Sequence, residues 1–249
     1  RNVGFGYGCL NDLEKSIKYY DRAINANPND PLLLTESDKI YEQANIPTDQ
    51  RLKRLESHLK TVMKHDDAVM RLLTLYNAES KYDKSIKILN TRHFHLWEGG
   101  GQVHDIYADS HILKGMQFLK RKQYKEAIRE FDLANQYPSN LEVAPSPNGG
   151  YEAKIYYLSG IAYEAMKQTD KAKICFEKSA DTHFRSHLTD LNYYKIKSLR
   201  KLNRNGEADV ALSDMQKTLE RILRNPTDSY AKFGEANLHP MAVTKPRSI

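Results

Sequence analysis

The chain has 249 residues, 40% of them hydrophobic and 28% charged, with 38 basic against 32 acidic side chains and a net charge of +6. That composition suits a domain with a sizeable core, and the charges interleave, as around Glu14, Lys15, Lys18 and Asp21, so they form no basic stripe of the kind that tracks nucleic acid. No run of about 18 apolar residues is available to span a membrane, and two distant cysteines, Cys9 and Cys175, set no disulfide framework.

Residues 1–28 place Gly4, Tyr7, Ser16, Tyr20 and Ala23 ahead of Pro28. This reads as two short antiparallel helices: small residues let the helices cross closely, aromatic ones fill the grooves beside the crossing, and the proline marks the exit. Residues 31–64 predict a second, degenerate pair. Leu34 and Tyr41 mark its first helix, Ile46-Pro47-Thr48-Asp49 a turn and helix start, and Leu52, Leu55 and Leu59 line its second. A third pair, residues 68–97, carries Leu72, Tyr76, Tyr82, Ser85 and Leu89. The pattern is clearest in residues 108–138, with Gly115, Phe118, Tyr124, Ala127, Phe131, Ala134 and Pro138. Residues 153–183 follow with Tyr156, Gly160, Tyr163, Ala172, Phe176 and Ser179, and residues 190–224 form a weaker unit with Leu199, Ala208, Leu212 and Met215. Beyond Pro226 the periodicity fades, which predicts a tail at 226–249 that is a short helix or extended.

These spacings resemble the tetratricopeptide repeat (TPR). The resemblance implies an all-α fold, a right-handed superhelix of about six TPR-like antiparallel helix pairs, or α-solenoid, over residues 1–225. A narrower resemblance rests on RHFHLWEGG, VHDIYADSHILKG and YPSNLEV. These are similar to the C-terminal repeat regions of large bacterial proteins that begin with a β-rich domain of unknown function. Together with Arg1 in place of an initiating methionine, this implies a piece of a longer polypeptide, and it assigns no compartment.

The regularity fails in two places. Tyr82 and Tyr124 occupy the same repeat position but lie 42 residues apart, against a period of about 34, so roughly eight residues are inserted. They fall near 92–104, which holds His93, His95, Trp97, Glu98 and three consecutive glycines. Gly115 and Gly160 lie 45 apart, which places roughly 11 more inserted residues near 139–150. Both insertions follow a second helix, so both emerge in loops between repeats, along one edge, where binding residues collect.

Candidate chemistry is sparse. His93 and His95 alternate, which aims both imidazoles the same way in an extended segment, and imidazole is a common zinc ligand. His104 and His111 are seven apart, which separates them by about 10 Å along one helix. His111 also falls where the repeat buries a large side chain. The sequence therefore assigns no metal and no cofactor. Asp105 and Asp109 share a helical face, yet no second catalytic group or nucleophile motif accompanies them. A dinucleotide fingerprint, a phosphate loop, HExxH and G-x-S-x-G are all absent, so an independent enzyme is not expected. Trp97 either plugs the gap between adjacent repeats or presents an aromatic edge to a sugar ring or a partner domain.

The resemblance implies a concave face lined by the first helix of each pair. In that register the lining residues are Asp109, Ile112 and Met116, then Lys154, Tyr157 and Ile161, then Tyr193 and Lys197. An apolar and aromatic floor with charge at its margin suits an extended peptide or a helix. The expected function is a non-catalytic interaction or scaffold module for a peptide or protein partner, without nucleic acid and without a membrane span. The alternative is a structural appendage that docks, through the inserted loop, on a catalytic or carbohydrate-binding β-domain of the same polypeptide.

Overall fold

The computed structural model describes residues 1–95, 102–145, 150–182 and 190–224, and among these every regular element is helical. The helices fall into six antiparallel pairs: α1 (Asn2–Cys9) with α2 (Leu13–Ala26); α3 (Pro31–Gln43) with a broken second helix, α4 (Thr48–Ser57) and α5 (Leu59–Val62); α6 (Asp66–Ala78) with α7 (Tyr82–Thr91); α8 (Gln102–Lys120) with α9 (Tyr124–Ala134); α10 (Glu152–Ala165) with α11 (Thr169–Ala180); and α12 (Asp190–Lys201) with α13 (Asn205–Arg224). The chain is an all-α solenoid. No described helix is long and apolar enough to cross a membrane.

Each pair turns on the same device. Asn11, Asn45, Ser80, Lys122, Lys167 and Asn203 all adopt left-handed backbone with φ between 55° and 60°. The residue after each donates its N–H back to a carbonyl near the end of the first helix: Asp12 to Tyr7, Ile46 to Tyr41, Lys81 to Tyr76, Gln123 to Phe118, Gln168 to Tyr163 and Arg204 to Leu199, at 2.8–2.9 Å. This six-to-one bond satisfies a carbonyl that the helix end leaves unpaired. Asparagine tolerates the left-handed conformation and serine, lysine and other side chains resist it, so half of the turns use the favoured residue and half absorb local strain.

The accepting residues also fix the register, because the helices cross one turn earlier. Gly4, Gly115 and Gly160 each stand three residues before an acceptor, and a methyl group at Gly160 would lie 2.5 Å from Cε1 of Phe176. Opposite the crossings sit Ser16, Ser85, Ala127, Ala172 and Ala208, all buried. The second pair breaks this rule on both sides at once. It has Asp38 at the glycine position and, because the turn before α4 is one residue longer than the others, Arg51 at the small-residue position. The two form a buried pair with Arg51 Nε 2.9 Å from Asp38 Oδ1 and Nη2 2.8 Å from Oδ2. Arg71 of α6 adds a third bond, Nε to Oδ2 at 2.6 Å. An ion cluster here replaces a close helix crossing, which is the physical content of the pair's degenerate sequence.

First helices pack on one another in series, α3 on α6, α6 on α8, α8 on α10 and α10 on α12, while the second helices α2, α7, α9 and α11 each meet the next pair's first helix. One apolar core runs from Tyr20 to Tyr107 and takes in Leu141, and a second runs from Ile112 to Phe176. They are parted on α8 by a buried polar seam in which Ser110 Oγ lies 2.9 Å from both Ser85 Oγ and Asn77 Oδ1. The connectors after α2 and α5 are short, whereas those after α7 and α9 are long. The two long ones meet: Phe94 N–H donates to the Asn140 carbonyl at 2.8 Å.

Candidate functional site

The register that the sequence proposed for a binding face lands on α8, α10 and α12. Tyr193 is 52% exposed and Met116 38%, while Asp109, Lys154, Ile161 and Lys197 are half-buried. Ile112 departs from expectation: it is fully buried in the second core and offers nothing to a partner. The cause is its place in the stack. Ile112, Tyr157 and Tyr193 occupy equivalent positions, but their exposure is 0%, 8% and 52%, because neighbours flank α8 on both sides and fewer elements cover α12. Tyr157 is accordingly a support beneath the surface rather than part of it.

What the structure brings together is a cationic and aromatic patch spanning α10 and α12. Lys197 Nζ sits 5.7 Å from the Tyr157 ring centre and 5.4 Å from that of Tyr193. Lys154 Nζ sits 5.8 Å from the Tyr194 ring, and the rings of Tyr157 and Tyr194 are 5.7 Å apart. Hydrogen bonding with the Tyr193 phenol, and then the proximity of Tyr157, hold the Lys197 ammonium above its ordinary pKa, so the patch stays cationic. Tyr194 was missed in the sequence because the register assigns one residue per turn to the face, and its neighbour Tyr193 filled that position.

The second candidate region is the junction of the two long connectors. Arg92 leaves α7 in extended backbone, φ −94° and ψ 138°, and its guanidinium is held by Asp66 Oδ1 at 2.6 and 2.9 Å and by the Met63 carbonyl at 2.8 Å. Asp66 Oδ2 also accepts the His95 N–H at 3.0 Å. Asn140 Nδ2 donates to the carbonyls of Leu89 and Arg92, both at 2.7 Å. Alternation then buries Phe94 and turns His93 and His95 outward, their rings 4.8 Å apart. His93 Nε2 reaches Glu142 Oε1 at 2.7 Å. Trp97 and Glu98, expected as the contact residues of this insertion, lie outside the described residues. Glu142, Asn140 and Asp66 carried no local signal in the sequence, since each acts on a segment about 30 to 50 residues away.

The other histidines of this region are interior groups. His111 Nδ1 pairs with Glu130 Oε2 at 2.7 Å, and Lys114 bridges Glu130 and Asp83 at 2.9 Å each. Burial pushes the Glu130 carboxyl up, and the bonds from His111 and Lys114 push it further down, leaving it below the ordinary range. His104 stacks on Tyr137 at 3.8 Å and donates from Nε2 to the Gln136 carbonyl at 3.0 Å. A cleft of about 610 Å³ between α11, α12 and α13 includes Lys195, Arg204 and Glu207 in its wall. Its strongest cation, Arg204, is already paired with Asp181 and Glu207, so it is poorly placed to recruit an anion.

Residues 7–30 and 153–181 match the family model of the tetratricopeptide repeat, so the chain carries these repeats in its first and fifth helix pairs. Among solved structures, a crystal structure of MamA protein shares 17% identity over 72% of this chain and 87% of that one, with a TM-score of 0.49. The structure of YrrB, described as a TPR protein with an unusual peptide-binding site, shares 16% identity over 72% and 82% of the two chains, with a TM-score of 0.47. The TPR2AB-domain:pHSP90 complex of yeast Sti1 shares 12% identity over 93% of each chain, with a TM-score of 0.32.

Proposed function

We propose that this chain is a non-catalytic scaffold that binds a segment of a protein partner along the face formed by α8, α10 and α12. The observation that carries the reading is the Lys197 ammonium held between Tyr157 and Tyr193, with Lys154 over Tyr194 alongside. Cations fixed over aromatic rings offer a peptide both a charge to pair with and a flat apolar surface to lie on, at little entropic cost because the lysines are already ordered. Tetratricopeptide repeats serve as protein-binding scaffolds, and the serial packing of first helices gives such a partner an uninterrupted layer to run along. The partner segment therefore carries a carboxylate next to an aromatic or aliphatic side chain.

Selection from a random peptide library, with the recovered peptides measured by fluorescence anisotropy, tests this. Peptides enriched by the wild-type chain should be acidic and should lose about tenfold or more in affinity with Tyr193→Ala and with Lys197→Ala. Recovery of peptides that bind both variants unchanged would refute the assignment of this face. The appendage alternative shares the same fold, and an isolated β-domain of the longer polypeptide that binds through residues 92–104 and ignores both variants would favour it.

A further inference from the structure

We propose that His93, His95 and Glu142 bind one divalent transition-metal ion of the zinc class where the two long connectors meet. One ligand atom from each of the three lies within 4.8 Å of the others, and the His93 Nε2 to Glu142 Oε1 distance is 2.7 Å. Around a tetrahedral ion with bonds near 2.0–2.2 Å, ligand atoms stand about 3.4 Å apart. The short pair needs to open by less than an ångström and the widest to close by a side-chain rotation. Two imidazoles and one carboxylate are the donor set that borderline-soft ions prefer, and they leave a fourth position for water or for a donor from a partner.

The backbone that carries these ligands is already fixed, which distinguishes the cluster from a chance meeting of surface groups. Asp66 locks both Arg92 and the His95 N–H, Asn140 ties its own turn to Leu89 and Arg92, and Phe94 is buried between the two histidines. On the opposite connector, Leu141 is fully buried in the first core and Glu142 follows it in left-handed backbone, φ 52° and ψ 26°, which turns its carboxylate toward His93. Anchors of this sort set ligand orientation and raise affinity. In the metal-free state His93 keeps its hydrogen on Nε2 and donates it to Glu142. When the ion binds, Nε2 becomes a ligand and the hydrogen moves to Nδ1, while Glu142 exchanges that hydrogen bond for a bond to the metal. All three side chains are exposed, so the ion can enter without unfolding and would pin together two loops that lie 49 residues apart in sequence.

The test uses the untagged 249-residue chain, stripped with EDTA and titrated with zinc chloride by calorimetry at pH 7.5. One equivalent should bind, and His93→Ala, His95→Ala and Glu142→Gln should each weaken binding by about tenfold or more. Cobalt should give the visible absorption of a four-coordinate site, absent in His93→Ala. Circular dichroism of each variant confirms that the helices persist. Zinc binding that survives all three substitutions, as it would if other surface histidines held the ion, overturns the proposal, and so does the absence of a saturable equivalent in the wild-type chain.

Discussion

Asp38 of α3 and Arg51 of α4 meet through two parallel hydrogen bonds of 2.9 and 2.8 Å, at the crossing where the first, fourth and fifth pairs place a glycine against a serine or alanine. Their side chains are only 3% and 6% exposed. Removing Asp38 leaves the buried Arg51 with only the part-exposed Glu42, 3.2 Å away, and losing a buried partner costs up to about 3–5 kcal/mol. Asp38→Asn should therefore destabilise by that order in urea unfolding, with its circular dichroism otherwise native. Replacing both residues, Asp38→Leu with Arg51→Met, should cost less than Asp38→Asn alone, since Arg51 then needs no partner and Arg71, which also loses Asp38, keeps Glu42 at 2.9 Å. Burial pushes the Asp38 carboxyl up, but the bonds from Arg51 and the charge of Arg71 outweigh it and leave it below the ordinary range. Its contribution is then fully present above about pH 4 and is lost as pH falls through its depressed value. A wild-type chain whose stability advantage over Asp38→Asn does not shrink in acid contradicts this.

Glycine in the middle of a helix normally costs stability, so Gly160→Ala would by propensity alone add about 1 kcal/mol. The crossing reverses the sign, because the new methyl group would sit 2.5 Å from the Phe176 ring, whose side chain is almost fully buried and has no room to retreat. Overpacking of this kind costs about 1–3 kcal/mol. Gly206 in α13 is the control: nothing lies within 4 Å of its added methyl group, so Gly206→Ala should be neutral or stabilising. Thermal unfolding of the two variants should shift in opposite directions, and a common upward shift would show that the α10–α11 crossing has slack.

Much of this architecture was legible in the chain, because a helix pair buries its crossing through a few fixed positions. Gly115 with Phe131 and Gly160 with Phe176 announce two crossings outright. The ion cluster of the second pair was not legible. Asp38 and Arg51 look like two unremarkable charges until the helix starts align them with Gly4 and Ser16 across a turn one residue longer; the repeat spacing alone would have matched Asp38 to Gln50. The site was legible only in halves. His93 and His95 share one segment and could be paired by alternation, whereas Glu142 enters through a contact between loops 49 residues apart, which no local pattern encodes. Ile112 was misplaced for the opposite reason: repeat register gives a position, and the number of neighbours in the stack decides whether that position is exposed.

The two cysteines should separate by reactivity. Both are free thiols, Cys9 exposed at the end of α1 and Cys175 half-buried on α11. Burial pushes the Cys175 thiol above its ordinary pKa, which lowers its thiolate fraction near neutrality as well as its access. Titration of the native chain with Ellman's reagent at pH 8 should show one fast and one slow thiol, and Cys9→Ser should remove the fast phase. Two fast phases of equal rate would mean that α11 opens readily from the stack.

His104 should make stability depend on pH near neutrality. The ring is 7% exposed, stacks on Tyr137 with an interplanar angle of 5°, and donates from Nε2 to the Gln136 carbonyl. Burial disfavours the imidazolium and holds its pKa below the ordinary value of 6.5, with the carbonyl bond opposing more weakly. A base whose pKa is lower in the folded chain is protonated first in the unfolded one, so acid favours unfolding. The stability tied to His104 is therefore complete above about pH 6.5, declines as pH falls below that value, and stops declining once the folded-state pKa is passed. His104→Gln keeps a donor for Gln136 but cannot titrate. The difference in unfolding free energy between wild type and this variant should narrow on going from pH 7.5 to pH 5, and the His104 ring proton followed by NMR should titrate below 6.5. A midpoint at or above that value would show that the Gln136 bond and the Tyr137 stack stabilise the cation, reversing the sign of the dependence.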